Sequence, residues 1–140
     1  MKAKTRRAVQ TRWMYRMEST MLKANVYANC DMPMAYLRRL AGRVWNSEAP
    51  QGRKVPNIKA GRGEFYYDRL ASSCAGYTEI VLARDHRTVL VLLHELTHAL
   101  GPCVHGAKFV KLYFYLLGKY GRFHRDLLQG VAAGRGIVLT

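Results

Sequence analysis

The apolar positions along the chain change period twice. Across residues 9–28, Trp13, Met17 and Met21 recur four residues apart while Arg12, Arg16 and Lys23 fall on another side, which predicts a basic amphipathic helix with its methionines in a core. Asp31 stands before Pro33 as the expected cap of a second helix, in which Tyr36, Leu37, Leu40, Ala41 and Val44 keep helical spacing up to Trp45. Residues 46–63 hold two prolines, three glycines and four basic residues, the composition of a loop or at most of a short edge strand around Val55 to Ile58. There the period shortens. "EFYYDRL" and "GYTEIVLA", separated by "ASSCA", are rich in β-formers and predict an antiparallel hairpin over residues 64–83.

Helical spacing returns after Asp85. A helix beginning near Arg87 or Thr88 runs through "TVLVLLHELTHAL" and stops at Gly101 and Pro102. Apolar residues cover almost its whole circumference, so it belongs at the centre of the molecule, and yet it carries two histidines and a glutamate. A further helix follows in "GAKFVKLYFYLLGKYG", with Phe109, Leu112, Tyr113, Leu116 and Leu117 on one face. The expected architecture is α+β: a helical pair, a small antiparallel sheet, a central helix and a closing helix.

Length and composition narrow this further. At 140 residues the chain is read as one domain, with a core over residues 9–120, a basic amino-terminal end and a short carboxy-terminal extension. An apolar fraction of 49% is that of a globular protein, and no segment reaches the roughly 18 uninterrupted apolar residues a membrane span needs. The amino terminus, "MKAKTRRAVQTRWMYR", is basic without the apolar stretch and cleavage site of a secretory signal, so an intracellular protein is expected, cytoplasmic or nucleoid-associated. Cys30, Cys74 and Cys103, an odd number without framework spacing, fit free thiols acting as small apolar residues in a reducing compartment.

Charge adds a partner class. Twenty-three Lys and Arg against nine Asp and Glu leave a formal +14, enough to draw the chain to polyanions. The cations are spread, and no helix-turn-helix, zinc-finger or RNP signature accompanies them, so Arg6, Arg7, Arg12, Arg16, Arg53 and Lys54 are read as sequence-independent phosphate contacts to DNA or RNA. A merely solvated basic surface accounts for the same charge.

The central helix carries the chemistry. His94 and His98, four residues apart, lie about 40° apart around a helix axis and about 6 Å along it, so both rings can reach one ion. Glu95 is turned about 100° from His94, a position from which it can act on a metal-activated water without being a ligand. This is the HExxH pattern. A catalytic zinc takes a third protein ligand and leaves one position open. His105, beyond the helix stop, leads the candidates; Cys103, His86 and His124 are the others.

"HELTHA" followed by "HGAKF" resembles the SprT-like zinc metallopeptidases, whose HExxH is followed on the next helix by a third histidine in an HGxxF-type motif. The likeness extends over residues 9–120, and its specific part is residues 94–109. The resemblance implies a zincin-like minimal metallopeptidase domain, Zn2+ on His94, His98 and His105, Glu95 as general base, and Gly106 and Phe109 setting the closing helix. It implies an intracellular hydrolase of protein or peptide substrates, in some members proteins bound to DNA, and compact relatives of this kind occur in phages, where a virion location would follow. Two features depart from the DNA-repair members: the interval from His98 to His105 is shorter, and no CxxC follows Cys103. The interval is also one residue longer than in the metzincin form, and no methionine after Met34 supplies a Met-turn.

Several roles stay open. Tyr77 and Tyr113 are candidate transition-state donors, though such residues are more often core or interface rings. The strand at residues 76–83 is a candidate edge for pairing an extended substrate. Two readings of other classes stand beside the peptidase: a basic nucleic-acid-binding or assembly protein with a zincin fold and no turnover, and a non-peptidase hydrolase using the same zinc and glutamate.

Overall fold

The structure is a computed structural model that describes residues 3–61, 67–68 and 78–139. Its first helix, α1 (Ala3–Ser19), stops nine residues before the sequence pattern predicts. The reason is local competition for the backbone: Ser19 and Thr20 both donate their hydroxyls to the Arg16 carbonyl, at 3.2 and 2.6 Å. The chain turns and re-enters a single helical turn, α2 (Val26–Asn29), capped by the Asn25 side chain, which accepts from the Ala28 N–H at 2.9 Å. Met21 is therefore exposed, and Met14 and Leu22 occupy the core in its place, with Trp13 and Met17 partly buried. The buried positions are shifted by one residue from the expected stripe, and Met21 lies beyond the end of the helix that was to carry it.

The second long helix, α3 (Met34–Glu48), buries Leu37, Leu40, Ala41, Val44 and Trp45, the face that the spacing predicts. Asp31 does not cap it. Pro33 holds the cap position without a side-chain bond.

Strands β1 (Asn57–Ala60), β2 (Tyr67–Asp68) and β3 (Glu79–Leu82) form one small mixed sheet in the order β1-β3-β2. The expected antiparallel pairing exists between β2 and β3, in the register Tyr67 to Val81 and Asp68 to Ile80; the rest of the expected hairpin, including Cys74 and Tyr77, lies outside the described residues. The short edge strand expected around Val55 to Ile58 is present as β1, at Asn57–Ala60. The proline- and glycine-rich loop contributes a strand that runs parallel to β3, Ile58 opposite Ile80, so the sheet is not the small antiparallel one expected. Short polar edge strands lack the alternation that marks a strand, and β1 buries only Ile58. At its end the backbone passes so close to β3 that a Cβ on Gly61 would stand 2.7 Å from the Val81 side chain, and the Gly61 N–H donates to Leu82 at 2.8 Å. The pairing on both sides also removes β3 as a free edge, so the substrate-pairing role expected for residues 76–83 does not hold over Glu79–Leu82.

Helix α4 (Val89–Leu100) lies at the centre, touching α2, α3, β3 and α5 (Ala107–Tyr120). Thr88 caps it, accepting from the Val91 N–H at 3.2 Å, and Gly101 ends it at φ 157°, a conformation an L side chain rarely adopts. Every residue from Val89 to Ala99 except Val91 is buried. Each leucine among them contributes about 1.5–3 kcal/mol by burial, so this helix holds the core together. The last helix, α6 (Arg125–Ala133), packs Leu128, Val131 and Ala132 against α5. Among the described residues, no helix is long and apolar enough to cross a membrane.

Candidate metal centre

Three buried histidines, His94, His98 and His105, bring ligand atoms within 4.8 Å of one another, close enough to hold one metal ion. Helix α4 places the first two on one face; the turn forced by Gly101 and Pro102 returns the chain so that His105 meets them just before α5 begins. The Nε2 atom of His105 stands 3.1 Å from Nε2 of His94 and 3.1 Å from Nε2 of His98. Ligands of a tetrahedral zinc at about 2.0–2.1 Å are separated by about 3.3 Å, so the spacing fits such an ion.

The outer nitrogens decide what the inner ones can do. Nδ1 of His98 is 2.8 Å from the Pro102 carbonyl, which can only accept, so Nδ1 carries the proton and Nε2 of the neutral ring is a bare lone pair. Nδ1 of His94 donates to Oε2 of Glu18 at 2.6 Å, with the same consequence. Nδ1 of His105 lies 3.2 Å from the Thr11 hydroxyl. Two lone pairs thus face one His105 nitrogen, which can offer a proton to only one of them. A cation satisfies all three. Burial, reinforced by the neighbouring His94, His98 and Arg135, pushes the His105 pKa down to about 3, so this ring is neutral at ordinary pH, as a ligand must be.

Around the nitrogens the site is apolar and tightly placed. Phe109, fully buried on the first turn of α5, packs its ring 5.0, 4.5 and 4.7 Å from those of His94, His98 and His105. The resemblance points to this residue and to Gly106, which occupies the cap of α5. Arg135, beyond α6, donates to the His105 carbonyl at 3.0 Å and lies over the Trp13 ring, tying the ligand loop to α1. Tyr15, half-exposed, stacks parallel to His94 with ring centroids 6.3 Å apart.

The other expected residues separate clearly. Glu95 is buried in α4 between His94 and His98 in sequence, outside the three-histidine cluster. Tyr113 is fully buried with its ring 5.2 Å from that of His94, and its hydroxyl donates to Glu18 at 2.6 Å. His86 and His124 stand outside the cluster, the latter as the cap of α6. Cys103 is exposed and disulfide-bonded, not the free, buried apolar group expected, and Cys30 is a half-buried free thiol. Arg6, Arg7, Arg12 and Arg16 are exposed along α1, as is Lys54 in the loop. Arg53 is committed elsewhere: its guanidinium lies over the Trp45 ring and donates at 2.6 Å to the Ala99 carbonyl at the end of α4.

Sequence reasoning missed Thr11, Tyr15 and Glu18. A signal was present, since Glu18 is the sole acidic residue in the first 30 and the three fall at helical spacing, but it was submerged in the arginines around it. Comparison with known proteins finds no match, whether with family models, with characterised proteins or with solved structures.

Proposed function

We propose that the chain is a zinc-dependent metallopeptidase of the SprT-like, zincin kind, with His94, His98 and His105 as ligands and Glu95 as general base. The observation that carries the reading is the convergence of three Nε2 atoms whose rings are each held from behind, at Nδ1, by Glu18, the Pro102 carbonyl and Thr11. Three nitrogen ligands suit a catalytic zinc, which keeps an open position, better than a structural one, which four ligands normally close.

A bound zinc would supply Lewis acidity to a water and to a peptide carbonyl. The chain's own groups do the rest. Glu95, one residue from His94 on the same helix, takes the proton from water and returns it to the leaving amine. Phe109 keeps bulk water from the rings, which strengthens every charge interaction inside the site. The exposed arginines of α1 and Lys54 would hold the enzyme near nucleic acid by phosphate contact, with an intracellular setting. Formal charge +14 equally favours a basic assembly protein that binds zinc without turnover.

Two measurements separate these. Elemental analysis should find about one zinc per wild-type chain and a clear loss in His105→Ala; folded wild type that takes up no zinc ends the metal reading. Glu95→Gln should keep the zinc and lose peptide hydrolysis by at least about 100-fold. Zinc retained with no hydrolysis of any peptide or protein by the wild type favours the assembly role.

A further inference from the structure

Helix α1 reaches the histidines through one stripe. Thr11, Tyr15 and Glu18 fall within about 60° of arc on the helix, and all three lie against His94 or His105. Most of the rest of α1 is polar or basic, and its anchors elsewhere are the buried Met14, the partly buried Trp13 and Met17, and the Trp13–Arg135 contact. Glu18 is the most deeply engaged member of the stripe. Its carboxylate side chain is 13% exposed, and its Oε2 meets both Nδ1 of His94 and the hydroxyl of Tyr113 at 2.6 Å.

We propose that Glu18 is a positioning residue for the metal ligand His94, with Tyr113 as the fixed post that aims it. The proposal rests on the three-histidine centre being a metal site. A carboxylate accepting from Nδ1–H does three things to the ring: it selects the tautomer with a bare Nε2, it stops rotation about the side-chain axis, and it makes Nε2 a stronger donor to a cation. Tyr113 is needed because a carboxylate on a polar surface helix would otherwise sample many rotamers; its hydroxyl is rooted in the core, 3.4 Å from the Leu90 carbonyl of α4 itself. Ligand, carboxylate and post therefore close a loop through α4, α1 and α5 that holds His94 from both ends. A carboxylate serving only to dock α1 would have no reason to meet a buried imidazole whose other nitrogen points into the cluster.

The test is zinc affinity of the full chain, measured by competition with a chromophoric chelator, together with the visible spectrum of the cobalt-loaded protein. Glu18→Gln keeps the shape and loses the charge; it should weaken zinc about 10- to 100-fold and shift the cobalt bands, with the circular dichroism of the metal-free chain unchanged. Glu18→Asp should recover part of the affinity, and Tyr113→Phe should weaken zinc in the same direction by a smaller factor. An affinity within about twofold of wild type and an unshifted cobalt spectrum in Glu18→Gln would show that Glu18 merely docks α1. Should Glu18→Gln lose its metal-free fold, Tyr113→Phe decides: unchanged affinity there overturns the proposal and weakened affinity supports it. Wild-type protein that binds neither zinc nor cobalt overturns the metal centre itself, a result distinct from the first.

Discussion

Helices α4 and α1 serve the same three histidines in opposite ways. Helix α4 is apolar on nearly every side, packs against four other elements and supplies two of the three clustered histidines. Helix α1 is mostly polar, fully buries only Met14 among its described side chains with Trp13 and Met17 partly buried, and supplies the groups behind two of the histidines, Glu18 and Thr11. Two of the histidines stand on the most buried helix of the molecule, and the groups hydrogen-bonded behind two of the three are brought by an element with few apolar anchors. Disturbing the first should unfold the protein; disturbing the second should spoil the site and leave the fold.

Truncation in the core is the strongest test of that division. Leu93→Ala, at a fully buried position of α4, should cost about 2–5 kcal/mol in denaturant unfolding, the usual range for a core leucine. Tyr15→Ala on α1 should cost within about 0.5 kcal/mol. Equal losses in the two variants would erase the distinction between the helices.

Acid should break the centre next. The His105 pKa is near 3 in the folded protein against about 6.5 in an unfolded chain, so between these values the unfolded state takes up a proton that the folded state refuses. Stability of the metal-free protein is therefore complete above about pH 6.5 and falls as the pH is lowered towards 3, where the loss levels off. Urea midpoints of the metal-free chain at neutral pH and at mildly acid pH should differ in that direction, and His105→Gln should flatten the dependence. A wild-type midpoint that does not move with pH would contradict the burial of a neutral ring.

The smallest effect is expected on the outer face of α1. Arg12→Glu with Arg16→Glu should change unfolding by no more than about 0.5 kcal/mol, because both side chains are exposed. Retention on immobilised DNA should fall and its salt dependence become shallower, by roughly one unit of slope for each phosphate that the variant no longer neutralises. Retention identical to wild type would place any nucleic-acid contact elsewhere on the surface.

Local pattern made the central helix legible, its start near Thr88 and its stop included, because an apolar run between Thr88 and Gly101 admits few alternatives, and HExxH needs only the helix's own geometry to bring two rings together. The third histidine was legible too, since a tight turn leaves it only a few residues to travel. The same reasoning misplaced the end of α1 and gave the short edge strand β1 neither its bounds nor its parallel partner, where hydroxyl-to-backbone bonds and a partner far along the chain outweigh local period.

By itself the sequence determined which side chains could hold an ion and which helix would be buried. Tertiary structure alone decided how those side chains are aimed. Glu18 lies 76 residues from His94 and Thr11 lies 94 from His105 along the chain. No periodicity spans such an interval, because contacts of that separation are chosen by the packing of whole elements rather than by the spacing within one.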